Sequence, residues 1–349
     1  MVNANYNENP HVAKSILGVV LVTFNSADVV IDALETLFSS AEADKVKLQV
    51  TVVDNASSDD TPERILAWRS GIEPYAAPAD LPFELLSTVE KPISEETLKI
   101  IRTDYNGGFA YGVNIGIKNL FSNKFIDRIW VLNPDSIVPR GTVGAFARYN
   151  AASFSLMGGR VLFYEEPKII QVDGGKISWV TGVTKNINHF CSHLTPYPKA
   201  DDFDFIMGAS MVVSRKFWDY AGPMNEVYFL YYEEVDWALR RGDLPLAYCP
   251  DAIIYHKAGT SIGSPSFRRV ATPFSLYFKH RARMLFLRQH SPSSVLFGWA
   301  YAIAKATQLA ISGNWSEMFA VVDGARCAPP RANIAAKLDT YALSKLQRR

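Results

Sequence analysis

Acids, amides and hydroxyls recur in this chain where apolar runs stop. Thr23 and Asn25 follow one run, Asp54 and Asn55 a second, Asp104 and Asn106 a third, and Asn133 and Asp135 a fourth. Each pair alone is ordinary turn chemistry, because Asn and Asp bond their own backbone and favour turns. Four in succession at one edge of a sheet point to a ligand site. A further acidic cluster, YYEEVDW, carries Glu233, Glu234 and Asp236. A carboxylate of that kind has the chemistry of a general base; the plainer reading is an acidic helix start favoured by the helix dipole. If VDWALRR is helical, Asp236 shares a face with Glu233 while Glu234 points elsewhere.

Neither GxGxxG nor GxxxxGK[ST] follows the first strand, so a dinucleotide fingerprint and a P-loop are both missing. The glycines come in NGGFAYGVNIG, residues 106–116. Gly107 and Gly108 permit turns forbidden to other residues, and Gly112 and Gly116 lie one helical turn apart. That pattern suits close helix–sheet packing, an anion at the helix N-terminus, or both. Cys191, Cys249 and Cys327 show no CxxC or zinc spacing and read as free thiols in a reducing compartment.

The elements that must position these residues follow from period and punctuation. SILGVVLVTFNS, residues 15–26, is a β-branched run of the kind buried on both faces of a parallel sheet. A helical spacing follows in VVIDALETLFSS, then a second strand over 48–53 and a helix opened by Pro62. LKIIR and RIWVLN read as further strands with AYGVNIGIKNLF as the helix between them. Strand alternating with helix predicts an α/β fold around a Rossmann-like, mainly parallel sheet. Ligands of such sheets bind beyond the carboxyl ends of the strands. Residues 70–98 are Pro-rich and aperiodic, a surface excursion with room for one short hairpin.

With 349 residues, 48% apolar and 20% charged, there is ample material for a core. A net charge of +1 argues against a nucleic-acid footprint. The N-terminus has no apolar segment of signal-peptide type, and SVLFGWAYAIAKATQLAIS is too short and too polar for a confident span. A cytoplasmic protein is the default expectation.

Taken together, VTFNS, VVDNASSDDT, NGGFAYGVNIG, LNPDS, GASMVVSRKFWDYAGPMNEVYFLYYEEVDWALR and IYHKAGTS stand in the order and rough spacing of family 2 glycosyltransferases. The resemblance covers roughly residues 15–290 and is nearest to the bacterial rhamnosyltransferase-like branch. It implies a GT-A fold, a nucleotide-diphosphate sugar donor (dTDP or UDP), a divalent cation (Mg²⁺ or Mn²⁺) and inversion at the anomeric carbon. A polar tail (1–14), a glycosyltransferase domain (15–272, with a nucleotide half to about 136 and an acceptor half beyond) and a C-terminal helical region (273–349) follow from it.

The resemblance also assigns roles. Asp135 matches the metal-binding acid of a DxD-type motif in which Asn133 replaces the first Asp. His256 matches a histidine that completes the metal site. Thr23, Asn25, Asp54, Asn106, Gly108, Asn133 and Arg281 would contact the nucleotide. Gly208, Ala209 and Glu233 would approach the donor sugar and acceptor. Glu234 stands at the base position, one methylene longer than the family's Asp, with Asp236 as the alternate. Another departure is Asn225, where relatives carry Asp. The implied acceptor is a cell-surface polysaccharide or lipid-linked oligosaccharide, with dTDP-L-rhamnose as the first donor choice and a UDP-hexose as the second. The mixed basic and apolar C-terminal helices suit either peripheral membrane contact or capping of the core. Oligomeric state is left open, a homodimer being one option. Two other readings compete: a sugar nucleotidyltransferase, disfavoured because TFNSADVV lacks glycine and basic residues, and a sugar-nucleotide or glycan binder without catalysis.

Overall fold

In the computed structural model, residues 16–85, 87–150, 153–257, 267 and 271–347 are described. The expected polar tail at 1–14 and the end of IYHKAGTS lie outside them. The chain runs β1 (Ile16–Thr23), α1 (Val30–Ala43), β2 (Lys47–Asp54), α2 (Thr61–Ser70), β3 (Leu98–Arg102), α3 (Phe109–Phe121) and β4 (Arg128–Leu132). Then come β5 (Ser136–Ile137), α4 (Thr142–Arg148), β6 (Leu156–Phe163), β7 (Ile170–Val172), β8 (Gly175–Ile177), β9 (Thr184–Asn186) and β10 (Ser210–Ser214). The remaining elements are α5 (Arg215–Ala221), α6 (Glu233–Leu239), β11 (Ala247–His256), α7 (Pro273–His290), α8 (Val295–Ile311), α9 (Trp315–Arg326), α10 (Ala332–Ala335) and α11 (Thr340–Gln347).

One nine-stranded sheet organises the chain, in the order β3-β2-β1-β4-β10-β6-β11-β5, with β7 on the side of β6. The first four strands pair in parallel, as their β-branched runs predict. Beyond β4 the sheet is mixed. β10 runs antiparallel to both β4 and β6, β11 runs parallel to β6, and β5 and β7 pair antiparallel. Thus β1, β2, β3, β4, β6 and β11 share one direction and β5, β7 and β10 oppose it. One apolar cluster fills the face under α1, α2 and α4, and a second fills the face under α3, α5 and α6. Helix α3 lies close on the sheet because a Cβ at Gly116 would come within 2.6 Å of Val20.

Residues 71–97 form no strand among those described, so the short hairpin is not there. The excursion is tied down by side chains instead. The buried Glu35 carboxylate accepts from Trp68, the Val89 amide and Lys91, and Tyr75 donates to Asp32. Among the described residues no helix is long and apolar enough to cross a membrane.

Candidate active site

Strand direction brings the site together. β10 is antiparallel to β4, so its first residues arrive at the carboxyl end of β4. Ser210 pairs with Leu132, and the Asn133 amide donates to the Ala209 carbonyl at 3.0 Å. Immediately after Asp135, β5 pairs Ser136 with His256 at the end of β11. The Lys257 amide donates to the Asp135 carbonyl at 3.0 Å. Two antiparallel contacts therefore gather Asn133, Asp135, Gly208, Ala209 and His256 at one point. They line a cleft of about 930 Å³.

Within it the His256 Nε2 lies 3.0 Å from Asp135 Oδ1 and 3.3 Å from Asn133 Nδ2. The other ring nitrogen, Nδ1, is 2.8 Å from Gln171 Oε1. With Gln171 accepting, Nδ1 carries the hydrogen and Nε2 offers its lone pair. An imidazole lone pair and a carboxylate oxygen at this separation need a cation or proton between them. Two neighbouring ligands of an octahedral ion at about 2.1 Å are about 3 Å apart, so the spacing fits a shared divalent ion. Among the described residues no three His, Cys, Asp or Glu side chains converge on one point. Among the described residues this point thus gathers one carboxylate and one imidazole.

Glu233 and Glu234 of the acidic cluster line the same cleft. Phe229, Tyr231 and Tyr232 hold φ of 66°, 69° and 69°, a left-handed conformation costing bulky residues about 1–3 kcal/mol each. The segment is pinned by the Phe109 amide donating to the Phe229 carbonyl (3.0 Å), by Tyr231 against Ser275 (2.8 Å) and by the Tyr232 hydroxyl on the Gly182 carbonyl (2.6 Å). Tyr232 then opens α6, which delivers Glu233 and Glu234 to the cleft. Burial pushes the Glu234 carboxyl up to about 7, against the pull of its own amide, Lys279 and the Val235 amide. Glu233 is driven well above the usual carboxylate range by burial and by Glu234, and its Oε2 meets no hydrogen-bond partner.

Asp236 and Arg281 do not line this cleft. Asp236 is fully buried and turned from the cleft. Its carboxylate accepts from Tyr228 (3.3 Å), Arg240 (3.0 Å) and Gln289 (3.0 Å), and lies 2.7 Å from His290. Its lone pairs are spent on tying α6 to α7, so it is not placed as a base. Arg281 is buried on the far side of α7, with its Nη1 donating to the Val227 carbonyl. The phase of α7 aims Lys279 into the cleft instead, and Lys337 joins it there.

At the β1–β3 end, Thr23 and Asp54 lie beneath the floor. Asp54 accepts from the Thr23 hydroxyl (3.0 Å), the Ser57 hydroxyl (2.5 Å) and the Ser57 amide (3.1 Å). Asn25 holds the Ser58 amide through its side-chain oxygen. Asn55 lines the cleft here, with Val22, Phe24 and Ser26. Its Nδ2 donates to the Gly108 carbonyl at 2.9 Å and its Oδ1 has no partner. Asn106 and Gly108 line it as well. Gly108 sits at φ +92°, where any Cβ would strike the Phe229 carbonyl. The first α3 amides are already engaged, since Gly108 N–H donates to Asn106 Oδ1 and Phe109 N–H to Phe229. Sequence reasoning missed Gln171, Lys279 and Lys337, whereas Asn55 stood among the polar strand ends without a role of its own.

Residues 18–168 match the family model described as Glycosyl transferase family 2. The chain is 23% identical over 150 residues to the low-salt glycan biosynthesis hexosyltransferase Agl10 of Haloferax volcanii. That match covers 42% of this chain and 47% of the relative, so the chain spans about half the length of the curated relative it matches. Among solved structures, it is similar to S. aureus TarS 1-349 in complex with UDP-GlcNAc (13% identity, TM-score 0.49, 94% of this chain and 87% of that one). It is also similar to mannosyltransferase PcManGT from Pyrobaculum calidifontis with GDP-Man and Mn²⁺ (13% identity, TM-score 0.46, 89% and 86%). The mixed sheet with flanking helices is GT-A-like, as the resemblance implied. The stretch matched by the family model, residues 18–168, carries Asn55, the Asn106–Gly108 turn, Asn133 and Asp135.

Proposed function

We propose that this chain is a metal-dependent, inverting glycosyltransferase that moves a sugar from a nucleotide-diphosphate donor to a saccharide or lipid-linked acceptor. One observation carries the reading: the Asp135–His256 pair and a Glu234 carboxyl raised to about 7 open on the same cleft. The nucleoside belongs at the β1–β3 end, where Asn55 Oδ1 is an unused acceptor beside Asn106 and Gly108. Asp135 and His256 would hold the divalent cation, which when bound offsets charge on the departing diphosphate. Lys279 and Lys337 take the diphosphate role that the resemblance gave Arg281.

Glu234 takes the proton of the attacking acceptor hydroxyl. A base tuned near neutrality combines a useful ionised fraction with real proton affinity. Glu233 is raised in the same sense beside it, by burial and by the Glu234 charge. Gly208 and Ala209 leave room for the donor sugar in the cleft. A dTDP-linked deoxyhexose and a UDP-hexose both suit this site. Release of nucleoside diphosphate from a panel of nucleotide sugars with Mn²⁺, by wild type and by Asp135→Ala, tests the reading. Turnover of no donor, or undiminished turnover by the variant, would overturn it.

A further inference from the structure

We propose that His189 and Phe190, backed by Phe163, form a stacking subsite that holds the pyranose ring of a saccharide acceptor. The proposal rests on the glycosyltransferase reading for the word acceptor, but its geometry stands apart from it. Phe163 is the Cα partner of His256 across the β6–β11 ladder, so both side chains emerge on one face, a strand spacing apart. Gln171 joins the two places. Its side chain meets His256 Nδ1 at 2.8 Å, and its carbonyl meets His189 Nδ1 at 2.7 Å.

The presentation of Phe190 is unusual. The residue is 53% exposed although aromatic, and it sits at φ 63°, two residues after Asn188 at φ 56°. A bulky residue in the left-handed region is a genuine outlier, and such outliers persist only where their surroundings over-determine them. Here they do. The Phe190 amide donates to the Ile170 carbonyl (2.9 Å) and the Ile170 amide to the Cys191 carbonyl (2.8 Å), clamping the turn to β7. Asn188 donates to Asp173 at 2.8 Å, and Asp173 is itself fixed by Arg160 and Tyr248. This gives Asp173 a structural role. The clamped turn lays Phe190 on Phe163 (centroids 5.4 Å apart, 20° between planes) and sets His189 against it at 4.1 Å and 50°. Phe267 meets Phe190 edge-on at 5.7 Å.

The result is an open notch of two exposed rings in the cleft wall, with Thr184 and Asn186 also lining the cleft. Apolar faces with a few placed amides and hydroxyls match a pyranose, which has a C–H face and a rim of hydroxyls. A nucleobase is the poorer occupant, since the nucleoside end of the cleft lies across the sheet at β1–β3.

Saturation-transfer NMR on the full chain tests this without any donor. The probes are the methyl glycosides of α-L-rhamnose, β-D-glucose and β-D-galactose. The ring C–H protons of at least one should saturate in wild type and in Phe190→Trp. The same glycoside should slow alkylation of the exposed Cys191 thiol, which lines the notch. Phe190→Ala and Phe190→Gly should weaken its binding about tenfold, the scale of one lost ring contact. Glycine is at ease at φ 63°, so Phe190→Gly should keep or raise the melting midpoint, separating loss of the ring from loss of fold. Saturation of none of the three, or equal saturation in Phe190→Gly, would overturn the proposal. UDP titration is the companion measurement. Glycoside binding without nucleotide binding would sink the transferase reading and leave a glycan site; the reverse would sink the subsite alone.

Discussion

Replacing Glu234 with Gln should remove both the activity and its dependence on pH. The structure sets the size of the effect. Burial raises this carboxyl from 4.5 to about 7, so it is about one-tenth ionised at pH 6 and about nine-tenths ionised at pH 8. If Glu234 is the base, kcat/KM of the wild type should rise about tenfold across that interval and then level off. An ordinary carboxylate would give a flat profile there. The Gln variant should lose about 10²–10⁴ in kcat, the usual range for a positioned base, and its residual rate should be level in pH. Nucleoside diphosphate release at saturating metal, followed at half-unit steps from pH 5.5 to 9, measures this. Stability supplies an independent readout. A carboxyl whose folded pKa lies above its unfolded value binds more protons when folded, so its stabilising effect is full below about 4.5 and is lost as pH rises through about 7. Glu233 acts in the same sense. The melting midpoint should therefore fall between pH 5 and 8, less steeply in Glu234→Gln. A flat wild-type rate profile, or a rise that survives in the Gln variant, would refute the assignment.

Two further outcomes follow from the same geometry. Gln171→Leu leaves both proposed metal donors in place but frees the His256 ring, so Mn²⁺ should bind about 10–100-fold more weakly by calorimetry while nucleotide binding without metal is unchanged. Asp236→Ala strands Arg240 and His290 without their carboxylate and should cost about 3–5 kcal/mol in denaturant unfolding. In the surviving folded fraction, kcat should stay near wild type. Full stability with abolished turnover would return Asp236 to the catalytic group.

The parallel half of the sheet was largely legible in the sequence because its signals are local. β-branched runs marked the strands, and of their polar ends Asn55, Asn106, Asn133 and Asp135 line the cleft. Asp135 and His256 emerged from motif order, yet nothing local shows that they meet, since that depends on β5 pairing with β11. Likewise β10 reads as an ordinary apolar strand, and only its antiparallel insertion explains why Gly208 and Ala209 stand beside Asn133. Arg281 and Asp236 do not line the cleft for one reason: helix phase decides which neighbour faces it, and α7 turns Lys279 there as α6 turns Glu234. Asp54 looked available because its type suits a ligand, whereas Thr23 and Ser57 had already taken its oxygens. The strained turns at 229–232 and 188–190 were invisible, because Phe and Tyr adopt left-handed backbone only where distant partners hold them there.

The central claim is that Asp135 and His256 hold a cation against a nucleotide diphosphate in this cleft. Calorimetric titration of UDP and dTDP into wild type and Asp135→Ala, each with and without Mn²⁺, tests it most directly. The account predicts that one nucleotide binds wild type at least tenfold more tightly with Mn²⁺ present, and that the variant loses this enhancement while retaining the metal-free affinity. Metal-independent binding in wild type, or an enhancement preserved in Asp135→Ala, would contradict it.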